Sequence, residues 1–217
     1  MLGTAGRLLG AARTLADAGD RPLAFSMLIL ATEELGAAIL VAEAATLRDR
    51  GRAESFLASR LASPRERVRR ALAWDTRFIS AGGVVARGEA NDDSLYQRVR
   101  RIAVATQVAD GRAVPVGALF DRDLVDAGFQ IVTTRHRVLQ EALATFFHGD
   151  CFDRGSLDEA AEKAHSAYWG ADAPGLASAL HLMRSRVRAI VAAAAGGADD
   201  REPRGGHRPA SSQARAR

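Results

Sequence analysis

Two adjacent carboxylates, Glu33 and Glu34, stand in the middle of an otherwise uncharged stretch from Leu23 to Ala42. A carboxylate withdrawn from water must find a cation, a set of hydrogen-bond donors or a proton. Neighbours on a helix point about 100° apart, so the two groups address different partners. The pair reads first as a structural link to an arginine of another helix, with metal ligation and general-base catalysis as the functional alternatives. Gly36 follows within the same turn. Glycine inside a helix is less favourable than alanine by about 1 kcal/mol, and its presence here predicts close approach of a neighbouring backbone.

Other groups offer less. Glu162 and His165 form an E-x-x-H step, the spacing with which bundle helices present a carboxylate and an imidazole to a metal. Such sites need two of these steps and further carboxylates. Here Glu141, His148 and one of Glu33 or Glu34 would have to complete an irregular set, so the ordinary reading is an amphipathic surface helix and no cofactor is expected. Cys151 is the single cysteine, which excludes an intramolecular disulfide and a cysteine-built zinc site and fits a reducing compartment. Ser26 and Ser166 lack a nucleophile-elbow context, and there is no glycine-rich phosphate loop. Arginines recur in clusters: Arg65, Arg67, Arg69 and Arg70; Arg98 and Arg101; Arg184, Arg186 and Arg188. Converging clusters would hold RNA or an acidic protein partner, although the interleaved aromatics of single-strand binders are missing. The balance of 30 basic against 26 acidic residues does not by itself imply nucleic acid.

The elements that position these residues are helical. Leu8, Leu9, Ala12 and Leu15 recur at helical spacing and stop at Gly19. Asp20 before Arg21-Pro22 is an N-cap followed by an early-turn proline, opening a helix predicted to run to about Arg48. That helix is apolar nearly all round, the mark of a central element. It is long enough to span a membrane, but carboxylates at its midpoint would be costly in lipid, and the residues before it are not expected to form a signal peptide. The expectation is a cytoplasmic protein with no membrane partner. A short helix over Ala53–Leu61 and one from Pro64 to about Ser80 follow, the latter with its arginines mostly outward. Ala81–Asp93 reads as a loop and Ser94–Arg101 as a helix. Asp110-Gly111 between β-branched runs predicts a small β-hairpin or extended segment near 102–116. Further helices are expected over Arg122–Phe147, Ser156–Trp169 and Pro174–Ala195. From Gly196 the composition turns to Gly, Pro, Ser and Arg. The expected organisation is one helical domain, 1–195, and a disordered tail, 196–217.

The segment Leu23-Ala24-Phe25-Ser26-Met27-Leu28-Ile29-Leu30-Ala31-Thr32-Glu33-Glu34-Leu35-Gly36 resembles the signature helix of the AbiV family of bacterial abortive-infection proteins, part of the HEPN-like helical group. Ala12–Asp20 is similar to that family's preceding helix, and Val99–Pro115 with the long helix after it resembles its second half. The resemblance implies an all-α, HEPN-like bundle around a buried central helix, a phage-defence role exercised by binding a protein or RNA partner, and a homodimer. Glu33, Glu34 and Gly36 are the positions that match the family motif. Three departures are visible: Ala37 stands where the family usually has lysine, Ser63–Arg70 contains no histidine, and Ile102–Val108 lacks the usual aromatic. The HEPN ribonuclease pattern, an arginine four to six residues ahead of a histidine, is met by Arg201 and His207 in the tail alone. Arg135 with His136 is the candidate for a divergent catalytic pair, against the ordinary reading of a solvated basic face.

Overall fold

The computed structural model describes residues 1–79, 93–108 and 118–199. The chain forms α1 (Leu2–Asp17), α2 (Arg21–Ala45), α3 (Arg50–Leu61), α4 (Pro64–Ile79), α5 (Asp93–Val108), α6 (Arg122–His148), α7 (Arg154–Tyr168) and α8 (Ala173–Asp199), with a 3-10 turn at Gly170–Asp172. No strand occurs among the described residues.

Helix α2 forms where expected. The Asp20 carboxylate accepts a hydrogen bond from the Leu23 N–H at 3.2 Å, meeting one of the donors a helix start leaves unpaired. Its apolar side chains point in every direction, and α1, α3, α4, α5, α6 and α7 all pack against it. Phe25, Leu28, Leu35 and Ile39 are buried together with Phe120, Leu124, Ile131 and Leu139 of the second half. The Phe25 and Phe120 rings meet edge to face with centroids 6.1 Å apart, a favoured aromatic geometry. By length and composition α2 could cross a membrane, but 78% of its most apolar window is buried inside the bundle, which is how a core helix behaves.

Ser63 caps α4, its hydroxyl accepting from the Glu66 N–H at 3.2 Å, in the Ser-x-x-Glu arrangement that starts many helices. The long α6 begins at an Asp121 cap whose carboxylate accepts from the Leu124 N–H at 2.8 Å. It packs against α7 and α8 as well as α2, so the second half of the chain folds onto the first through these two long helices.

The expected hairpin or extended segment near 102–116 is corrected over its first part. Ile102–Val108 is the last half of α5. Tyr96, Val99 and Ala103 are buried at spacings of three and four, a helical stripe that the β-branched composition of the segment conceals. Tertiary burial of that stripe overrides the local strand preference. Residues 109–117 lie outside those described, as does most of the Ala81–Asp93 loop. The last helix continues to Asp199, beyond the boundary expected at Ala195, and 200–217 lie outside the described residues.

Gly36 is where α4 crosses α2. A Cβ at this position would land on the Arg67 carbonyl oxygen, which is main chain and has no rotamer to escape by. Replacing Gly36 by alanine should therefore push the two helices apart and lower stability by about 3 kcal/mol or prevent folding. Gly10 of α1 has nothing within 4 Å, so Gly10→Ala should gain about 0.5–1 kcal/mol from helix propensity alone. Urea unfolding of both variants checks the contrast, and a neutral Gly36→Ala would disprove the tight crossing.

Candidate functional site

Glu33 is 2% exposed and fully engaged. Its Oε1 accepts from Arg100 Nη1 at 2.6 Å and from Gln97 Nε2 at 3.0 Å, both on α5, while Oε2 accepts from Arg67 Nη2 on α4 at 3.1 Å. Arg67 Nη1 also lies 3.5 Å from Glu34 Oε1. Two carboxylates and two guanidinia thus form a neutral cluster where α2, α4 and α5 meet. The match is chemical as well as electrical, since a planar guanidinium donates along several directions at once. The expected structural pairing of the carboxylate pair to an arginine of another helix is what the structure contains. With each oxygen bonded to an arginine and the group 2% exposed, Glu33 serves as a structural anchor, and neither a substrate nor a metal has an open approach to it.

Further along α2 is a residue that inspection of the sequence did not single out. Glu43 is 5% exposed, and it bonds Arg70 of α4 and, at 2.7 Å, Arg154 Nη1 of α7. Glu33 and Glu43 are ten residues apart, about 15 Å along the helix. The signal for Glu43 was its place in Val41-Ala42-Glu43-Ala44-Ala45, where a lone acid among small apolar residues demands a partner.

Two of the arginines expected on an outward binding face are consequently turned inward. Arg67 and Arg70 serve the carboxylates of α2, a correction to that expectation. Arg69 pairs with Glu66 on its own helix at 2.6 Å. Arg65 is exposed, as are Arg98 and Arg101 on α5, where the latter two border a shallow groove with Ala194 and Ala195 of α8. The outward face is therefore thinner than the arginine count suggested.

The candidate catalytic pair separates. Arg135 is 2% exposed and faces the interior, while His136 hydrogen-bonds the Leu2 carbonyl at 3.1 Å. Consecutive residues on one helix cannot converge on one ribose when one points into the core and the other to α1. Arg135 instead acts on His165 of α7, itself 4% exposed and stacked on Trp169 with ring centroids 5.0 Å apart. A buried arginine thus bears electrostatically on a buried histidine of a different helix.

The E-x-x-H step fails as a metal site for the same reason. His165 is inside, Glu162 is exposed, and among the described residues there is no group of three or more metal-ligating side chains. Glu141 and His148 are exposed on α6, with His148 Nδ1 2.7 Å from the Ala144 carbonyl oxygen. Cys151 is exposed and donates to Asp153 at 3.1 Å.

A different surface does stand out. Phe147 and Phe152, at 45% and 50% exposure, lie beside each other with ring centroids 6.3 Å apart. Phe147 borders a groove of about 620 Å³ shared with Leu2, Leu143, Ala144 and Tyr168, and Arg137 and Glu141 supply charge to it. Exposed aromatics around an apolar groove with polar neighbours are the anatomy of a protein interface.

Residues 1–102 match the family model HEPN_AbiV, described as AbiV. The matched part contains the whole Glu33, Arg67 and Arg100 cluster and Gly36, whereas Arg154, which completes the Glu43 link, lies beyond it. No curated protein and no solved structure matches the chain.

The clusters make separable predictions. Removing Glu33 with alanine leaves Arg100 without its carboxylate and Arg67 with only the longer Glu34 contact, and should cost roughly 3 kcal/mol. Glu34→Ala should cost under about 1 kcal/mol, because its single contact is long and partly solvated. Equal losses for both variants in denaturant unfolding would sink the assignment of Glu33 as the anchor.

The pKa of His165 is pushed down to about 4, first by burial and then by the charge of Arg135. An unfolded histidine titrates near pH 6.5, so between those values the unfolded chain takes up a proton that the folded chain excludes. The contribution to stability is intact above about pH 6.5 and shrinks as pH falls toward about 4. Wild type should lose about 2 kcal/mol more than His165→Phe between about pH 7 and about pH 5. Parallel unfolding curves for the two proteins at both pH values would show that His165 is not held neutral.

Proposed function

We propose that this all-α protein is a cytoplasmic phage-defence factor that acts by binding a protein partner, a reading supported by the match of residues 1–102 to the AbiV family model. The observation that supports binding over catalysis is the division of labour in the fold. The family motif residues are spent on joining α2, α4 and α5, while the conspicuous unsatisfied surface is the aromatic groove around Phe147 and Tyr168. Burying exposed aromatic side chains on a partner supplies the hydrophobic contribution from which interface anchors draw their strength.

A second copy of the chain is the first partner to consider. Arg137 and Glu141 lie one turn apart on α6 beside the groove, so two antiparallel copies would present each charge with its opposite, as a two-fold interface requires. The groove and the homodimer are one proposal, and an additional protein of the infected cell would meet the dimer elsewhere or displace one copy.

Expression in bacteria challenged with a broad phage panel tests the role. Protection should appear as fewer plaques or lower phage yield, and Phe147→Asp should abolish it at unchanged protein level. Light scattering should give a dimer mass for the wild type and a monomer mass for Phe147→Asp. Unchanged plaque counts across the panel would overturn the defence reading. A wild-type monomer that binds single-stranded RNA in fluorescence anisotropy would replace the protein partner with RNA.

A further inference from the structure

A recess of about 240 Å³ lies where the end of α1 meets the starts of α2 and α6, lined by Arg13, Asp17, Arg21, Arg122 and Asp126 among others. Local structure brings these residues together. Gly19, with φ of +85°, takes the left-handed conformation that other residues adopt only with strain. It reverses the chain so that the last turn of α1 lies beside the first of α2, closed by Asp20 N–H to Leu15 carbonyl at 2.9 Å. Arg21 and Arg122 are each the first residue of a long helix.

The charges in the recess do not cancel. Three guanidinia face two carboxylates. Arg122 meets Asp126 at 3.4 Å with the two side chains 81% and 56% exposed, a long, solvated pair that gives way easily. Arg13 is held differently: its guanidinium lies 4.3 Å from the centroid of the Phe129 ring. Stacking occupies the face of the guanidinium and leaves its donors around the edge. The cap carboxylate nearest Arg122, Asp121, is matched by Arg186 at 2.8 Å. At the α2 start the N–H groups of Arg21, Leu23 and Ala24 are bonded to Gly19 and Asp20, and at the α6 start Asp121 caps Leu124, so the donors that line the recess are chiefly arginine side chains.

We infer that this recess binds a phosphate group that carries a proton, either free hydrogen phosphate or the end of a mononucleotide. Guanidinia pair with phosphate oxygens through two parallel hydrogen bonds. Asp17 adds selectivity, because a carboxylate can only accept: it accepts from a P–OH, whereas sulfate near neutrality has no proton to give and meets only repulsion. The site shares no residue with the aromatic groove, so its fate is independent of the proposed partner binding.

Isothermal titration of the full chain at about pH 6.5 with inorganic phosphate, sulfate and adenosine monophosphate tests this. Phosphate should bind saturably and at least about tenfold more tightly than sulfate. Arg21→Gln and Arg122→Gln, both at exposed positions and checked for unchanged circular dichroism, should each weaken it about tenfold, and Asp17→Asn should erase the preference over sulfate. Tighter binding of the nucleotide than of phosphate identifies a nucleotide end as the ligand, and weaker binding identifies the free ion; either supports the site. Absence of saturable binding by phosphate and nucleotide alike, equal affinity for phosphate and sulfate, or indifference to Arg21→Gln would overturn it.

Discussion

Burying one carboxylate sets the terms for much of this fold. Glu33 sits at the middle of the most apolar helix and is almost wholly buried, so α2 can be central only if cationic donors come to it. They come from two helices, Arg67 of α4 and Arg100 of α5, and their arrival determines where those helices cross. Gly36 is the steric side of the same requirement: the backbone of Arg67 lies where a larger residue would put its Cβ. Motif glutamates and motif glycine therefore address one residue, by charge through its side chain and by contact through its main chain.

Glu43 extends that logic to the other half of the molecule. Arg70 follows Arg67 by three residues on α4 and turns to the next acid along α2, while Arg154 brings the start of α7 to the same carboxylate. Ion pairs of this kind contribute less to net stability than to specificity, since desolvation offsets much of the attraction. Apolar packing among Phe25, Leu28, Phe120, Leu124 and Leu139 supplies the driving force. The carboxylates determine which helix meets which, and in what register.

Function then has to be sought on the outside. The residues that invited a catalytic role in the interior are tied into buried ion pairs, as Glu33 is, or lie below the surface, as Arg135 and His165 do. Among the described residues, the surfaces open to a partner include the aromatic groove beside α6 and α7 and the arginine-lined recess at the α1–α2 turn. Both are assembled from distant parts of the chain, and both use residues outside the Glu-Glu-x-Gly motif.

Periodicity and composition were enough for the helices, the centrality of α2, the Asp20 cap and the close approach at Gly36, because each depends on residues within a turn or two of one another. The same local information went wrong at Ile102–Val108, whose β-branched residues read as strand until Tyr96, Val99 and Ala103 are seen buried as one stripe. It could not say which arginines face outward. Arg65, Arg67, Arg69 and Arg70 look alike in the sequence, and what distinguishes them is whether a carboxylate of α2 stands opposite. Nor could it pair Arg135 with His165 across two helices, or show that Glu162 and His165 part company at the surface. Burial and pairing are properties of what lies on the far side of a contact, and only the packed helices decide that.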